Sequence, residues 1–284
     1  MDNTVNADMS EFWNGDGGQK WLRFQDRMKV NLMPFGHMAM TAASLSTGER
    51  VIDVGCGCGD TTFEIARLVG PSGYAHGIDI STPILAQANE RAVSASEKNV
   101  TFERADAQIH RFDPAAFNVI FSRFGIMFFD DPVVAFKNLR SALKSGGRIA
   151  FVAWQSAKNN EWISLSLDVV ANHIPLSAPP GPEEPGPLSF GDTERLKRIL
   201  VQAGFSDIGI EGVSIPFIVG DNLDYAAKFL TQMGPASGAI ANSDANEETK
   251  FRIVSDMRDA LGAFETDQGI AMSSATWVVT AQNP

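Results

Sequence analysis

Cysteine is nearly absent: the 284 residues hold two, Cys56 and Cys58. Two positions apart, they offer no long-range disulfide framework. C-x-C without nearby partners is also a poor zinc site, so they read as small residues filling a tight turn and no metal is expected. Basic runs are missing as well. The 23 Lys and Arg are outnumbered by 34 Asp and Glu, for a formal charge of −11. That balance argues against nucleic acid or an anionic membrane surface as the main partner. No apolar run approaches the ~20 residues needed to span a bilayer. Met1 to Ser10 is polar, with two acids, and lacks the apolar core of a signal peptide. The expectation is a soluble, cytoplasmic protein. With 44% hydrophobic and 20% charged residues, the chain suffices for one large α/β domain with insertions or two small ones.

What is present centres on Arg50-Val51-Ile52-Asp53-Val54-Gly55-Cys56-Gly57-Cys58-Gly59-Asp60. A short apolar run breaks into three alternating glycines. A helical pattern from Thr61 to Val69 follows, with Thr61 and Glu64 at capping-box spacing and Gly70-Pro71 as its stop. Strand, glycine turn and helix open a nucleotide-binding α/β unit, because glycines allow close backbone approach and a helix N-terminus offers free N–H groups. A dinucleotide fingerprint would need glycine or alanine where Asp60 stands, and no Lys-Ser/Thr pair makes a P-loop. A carboxylate there would also repel a pyrophosphate, so the turn suits a ligand without phosphates.

Two further strands sharpen this. Tyr74–Ile80 carries Asp79 at its end, and Val100–Asp106 closes on Asp106, each followed by a loop or helix start. In an open parallel sheet the strand ends form the ligand crevice. Asp79 therefore falls beside the glycine turn, where a carboxylate can accept both hydroxyls of a ribose. Acids at three successive strand ends favour a ribose and an adenine.

V-I-D-V-G-C-G-C-G-D, G-I-D-I-S and A-D-A-Q together resemble the motifs of class I S-adenosylmethionine-dependent methyltransferases, nearest in flavour to the ubiquinone/menaquinone-biosynthesis C-methyltransferase-like group acting on small molecules. The resemblance is firm over about residues 40 to 155. It implies a Rossmann-like, doubly wound, seven-stranded α/β sheet whose last strand runs antiparallel between the fifth and sixth. It also implies S-adenosyl-L-methionine as cofactor. The cofactor-binding residues would be Asp53, Gly55, Gly57, Cys58, Gly59, Asp79, Ile80, Asp106, Ala107 and Ser122. The glycines would back the methionine part, Asp79 would hold the ribose diol, Ile80 would pack on adenine, and Asp106 with the Ala107 backbone would read its edge. Cys58 replaces the commoner threonine.

Around this core, Trp13 and Trp21 flank a glycine-rich segment, and Trp21, Phe24, Met28 and Leu32 form a helical stripe. The stripe packs as an ordinary amphipathic helix or acts as a lid, residues 1–46, with Trp13 and Trp21 lining the substrate pocket; aromatic faces attract a cation by ~0.5–2 kcal/mol. The first nine residues read as a loose tail, and Pro34 to His37 as a helix break. The methyltransferase domain then spans 47–284, with helical cap insertions at about 155–190 and 221–265, the first holding six prolines between Pro175 and Pro187. Ser122, Arg123 and Phe124 end the fourth strand, where the family places the transferring methyl group, and Phe124 and Met127 are candidates to wall an apolar pocket. Arg123, His37 and His173 are the catalytic candidates, although methyl transfer demands no base unless the acceptor must lose a proton. The acceptor expected is a small hydrophobic or aromatic metabolite. A catalytically inactive cofactor-binding relative and, less favoured because of Asp60, an NAD-dependent oxidoreductase are the alternatives.

Overall fold

The computed structural model describes residues 5–178, 181 and 183–284, so Met1–Thr4 of the expected tail and three positions of the proline-rich stretch lie outside it. Three helices come first: α1 (Ala7–Asn14), α2 (Asp16–Arg23) and α3 (Gln25–Ala43). Then β1 (Arg50–Val54), α4 (Asp60–Val69), β2 (Tyr74–Asp79), α5 (Thr82–Ser94) and β3 (Val100–Arg104) alternate. They are followed by β4 (Phe117–Arg123), α6 (Pro132–Ala142) and β5 (Leu143–Trp154). The sheet order is β3-β2-β1-β4-β5-β8-β6, with β8 (Gly269–Gln282) antiparallel between β5 and β6 (Ser206–Gly220). This is the Rossmann-like arrangement the motifs implied. A two-residue strand, β7 (Glu265–Thr266), pairs with β8 and is additional to the seven.

Helix starts follow local chemistry. Ser81, Asp131, Asp192, Asn222 and Asn246 each cap a following helix by accepting an N–H bond on the side chain, and Pro83 and Pro132 sit just inside two of them. Between β5 and β6 lie α7 (Glu161–Ala171) and α8 (Thr193–Gln202); between β6 and β8 lie α9 (Leu223–Gln232), α10 (Gly234–Ala241) and α11 (Glu247–Ala260). The fully buried Phe121, Phe136, Phe151 and Phe190 anchor the core beside β4 and β5. No helix among the described residues is long and apolar enough to cross a membrane.

Two expectations at the N-terminus need correction. Pro34 lies inside a continuous α3 instead of breaking it. A proline removes one intrahelical hydrogen bond, but Leu32, Phe35, Gly36, Ala39 and Met40 bury one face of α3 on both sides of it, and that packing holds the axis. Residues 7–9, read as loose tail, are the first turn of α1. Gly17 and Gly18 are buried inside α2, where a side chain would strike Phe12 or Trp13.

Candidate functional site

Register brings Asp79 to the sheet edge with Asp106 two residues beyond the end of β3, and leaves Asp53 deeper. Asp53 pairs with Gly77 on β2 and Phe121 on β4, and Asp79 with Arg104 on β3. Asp79 sits in the middle: Oδ2 accepts the Gly57 N–H at 2.9 Å and Oδ1 the Ser81 N–H at 2.8 Å, while burial raises its pKa above the ordinary carboxylate value. The glycine turn needs its glycines. Gly55 has φ +67°, and a Cβ there would lie 2.6 Å from Gly125 Cα. At Gly57 (φ +57°) a Cβ would meet nothing nearer than Trp21 Nε1 at 3.8 Å, so it would project into open space above the turn.

That space is a cavity of about 540 Å³. Gly55, Gly57, Asp79, Ile80, Asp106 and Ala107 line it. Phe124, Met127, Trp154 and Trp162 also line it, as do Trp13 and Trp21, which stand close to Ser81 and Gly57. The aromatic walls are interlocked: Trp13 meets Trp21 and Phe128 edge-on at 5.9 and 5.3 Å, Phe124 stacks on Trp154 at 4.3 Å, and Trp162 stacks on Phe217 at 4.9 Å. Phe124 holds a positive φ of 61°, a costly conformation for a side chain of that size, which turns the chain at the end of β4.

Other expected site residues lie behind this surface. Asp53 is fully buried below the turn, where Thr61 and Thr62 donate to Oδ2 at 2.7 and 2.6 Å, and Oδ1 has no hydrogen-bond partner. Burial pushes its carboxyl up to about 6 against the pull of those hydroxyls. Ser122 Oγ donates to the Val54 carbonyl at 2.7 Å and accepts the Gly125 N–H at 3.2 Å, tying β4 to β1. Cys58 donates to Gln25 Oε1 at 3.2 Å, and burial drives its thiol up to about 11. Gly59, like these three, is absent from the cavity wall. Asp60 is neutralised by Arg91 at 2.9 Å and Lys29 at 3.3 Å.

The catalytic candidates separate. Arg123 is on the cavity wall. His37 pairs with Glu64 at 2.8 Å and His173 with Asp256 at 2.8 Å, both away from the cavity. Their places on α3 and just beyond α7 turn them outward, which helix phase alone did not reveal. Sequence reasoning missed Asn6, whose amide donates to both oxygens of Asp106 at 2.9 Å and accepts the Asp130 N–H at 2.6 Å. Asn14 was also missed; it donates to the Ile80 carbonyl and accepts the Thr82 N–H. No periodic signal marks either residue.

A carboxylate at a strand end, a bare glycine turn and an adjoining acid thus line one cleft on a Rossmann-like sheet, with open space above Gly57. A methyltransferase-domain family model matches residues 45–204, more than half of the chain. The chain therefore belongs to the methyltransferase-domain family, whose cofactor is S-adenosylmethionine. It is 33% identical over 129 residues to the aklanonic acid methyltransferase DauC of Streptomyces sp. (strain C5), covering 45% of this chain and 59% of that protein. It is 28% identical over 167 residues to the ubiquinone/menaquinone biosynthesis C-methyltransferase UbiE of Cellvibrio japonicus, covering 58% and 61%. The matches thus span about three fifths of these curated relatives. Among solved structures, phosphoethanolamine N-methyltransferase 2 of Haemonchus contortus, in complex with S-adenosyl-L-methionine, shares the fold with a TM-score of 0.54 at 21% identity, over 88% of this chain and 52% of that one.

Proposed function

We propose that this protein transfers the methyl group of S-adenosylmethionine to a small, apolar or aromatic acceptor. One observation carries the reading: a single cavity is lined both by Asp79 and Asp106 and by the aromatic side chains of Phe124, Trp154 and Trp162. Donor and acceptor can share it without crossing solvent. Bound cofactor supplies an electrophilic methyl on a sulfonium. The chain's own contribution is placement. Asp79 holds the ribose hydroxyls, the Ile80 side chain and the Asp106–Ala107 segment take the adenine, and Gly55 and Gly57 leave room for the methionyl chain. The helices α1–α3, with the insertions that carry Trp162 and Phe229, form lid and cap and exclude water. Orientation of this kind can be worth ~7–11 kcal/mol in the best intramolecular cases.

The fit to the cofactor rests on chemistry in place. Asp79 keeps lone pairs on both oxygens beyond its two N–H partners, and the open face of Gly57 is a cradle that any side chain would fill. Calorimetry with S-adenosylhomocysteine and with NAD tests the cofactor, and S-adenosylhomocysteine release over a panel of aromatic and apolar acceptors tests the activity. Binding without release over the panel would favour the non-catalytic relative; NAD binding in place of S-adenosylhomocysteine would overturn the reading.

A further inference from the structure

Arg123 is a cation at the cavity wall without an anion of its own. It ends β4, and its stem runs between α3 and the first turn of α4: a Cβ on Gly36 would meet Arg123 Cδ at 3.4 Å and Thr61 Cγ2 at 3.3 Å. Among the described residues its guanidinium makes no ion pair within 4 Å, and its one side-chain hydrogen bond goes to Met33 Sδ at 3.2 Å. The nearest acids are committed elsewhere, Asp53 to two threonine hydroxyls and Asp60 to Arg91 and Lys29. A half-buried charge left in this state gains from an anionic partner. Burial lowers the Arg123 pKa, with Asp60 and Asp53 opposing at longer range.

Its position says which partner. Asp106 and Asp79 mark the adenine and ribose ends of the cavity, and the glycine turn comes next. Phe121 on β4 pairs with Asp53 on β1, so Arg123, two residues on, comes level with Gly55 of the turn, and its stem lies on the side of Gly36 and Thr61. A ligand threaded from adenine through ribose and past the glycines brings its amino-acid end here. Resting on the cofactor reading above, we infer that Arg123 is the anchor of the cofactor's methionyl carboxylate and not a catalytic residue at the methyl group. Among the described residues, the other cation on the cavity wall, Lys20, is paired with Asp16 at 2.7 Å and bonded to Ser237.

The test is calorimetry on the full chain with two probes: S-adenosylhomocysteine, and 5′-methylthioadenosine, which keeps the adenosine and thioether but has no amino acid. Arg123→Met should weaken S-adenosylhomocysteine about 10- to 100-fold, the effect of losing a hydrogen-bonded charge, and leave 5′-methylthioadenosine within about twofold. Arg123→Lys should restore part of the loss. On the wild-type chain, the carboxamide of S-adenosylhomocysteine should bind about 10- to 100-fold more weakly than the acid, a comparison that needs no variant. Unchanged S-adenosylhomocysteine affinity, or an equal loss for both probes, would overturn the assignment. Failure of wild type to bind S-adenosylhomocysteine at all, with or without a response at Arg123, would instead overturn the cofactor reading.

Discussion

Asp53→Asn should reveal how much the buried acid under the glycine turn costs the fold. The carboxyl is fully buried, accepts two threonine hydroxyls on one oxygen, and has nothing bonded to the other. Burial pushes it up from an ordinary 3.8 to about 6. At 1.36 kcal/mol per pH unit, that difference corresponds to about 3 kcal/mol between the protonated and ionised forms. The sign follows from proton binding. Between about pH 4 and 6 the folded chain holds a proton that the unfolded chain has released, so the Asp53 contribution falls as pH rises through that window and is level above it. Asparagine has nearly the same shape and no charge to lose. Urea unfolding of both chains from pH 4 to 7.5 isolates the effect, because every other titrating group is common to the pair. The stability of the variant relative to wild type should climb by about 2–3 kcal/mol between pH 4 and pH 7 and then stay flat. A difference constant within about 0.5 kcal/mol across the range would refute an ionised, poorly solvated Asp53.

Other expectations concern the site. Asp79→Ala should weaken S-adenosylhomocysteine by at least about 10-fold in calorimetry, since hydrogen bonds to a charged group contribute roughly 1.5–3 kcal/mol each; unchanged affinity would remove the ribose assignment. Gly57→Ala should leave a folded chain, at about 1–2 kcal/mol for its left-handed backbone, yet abolish measurable cofactor binding by filling the cradle. Gly55→Ala should cost more in the same urea assay, because a 2.6 Å approach to Gly125 adds about 1–3 kcal/mol of overpacking to the same backbone penalty. His37→Ala and His173→Ala should each keep turnover within about threefold, and a larger loss in a folded variant would return that histidine to the chemistry.

The parts of the site that could be read beforehand are those where chain neighbours are also spatial neighbours. Gly55 to Asp60 forms the turn by itself, and Asp79 and Asp106 close strands whose parallel pairing places them at one edge. A β-strand has few options once it is parallel, so two acids on adjacent ends must share a crevice. The aromatic chamber has no such constraint. Trp13, Phe124, Trp154, Trp162 and Phe217 come from separate elements, and their stacking partners depend on how α7 and β6 pack. Pro34 shows the same limit, since a local helix-breaking signal yields to a buried face on both sides of it. Arg123 shows it most sharply. Its residue type and place at a strand end suggest chemistry at the methyl group, but its stem packs beside Gly36 and Thr61 in the first turn of α4, a neighbourhood no motif announces. Strand order tells which residues reach the crevice; which ligand atom each one meets is decided by packing from α3, and α3 carries no motif.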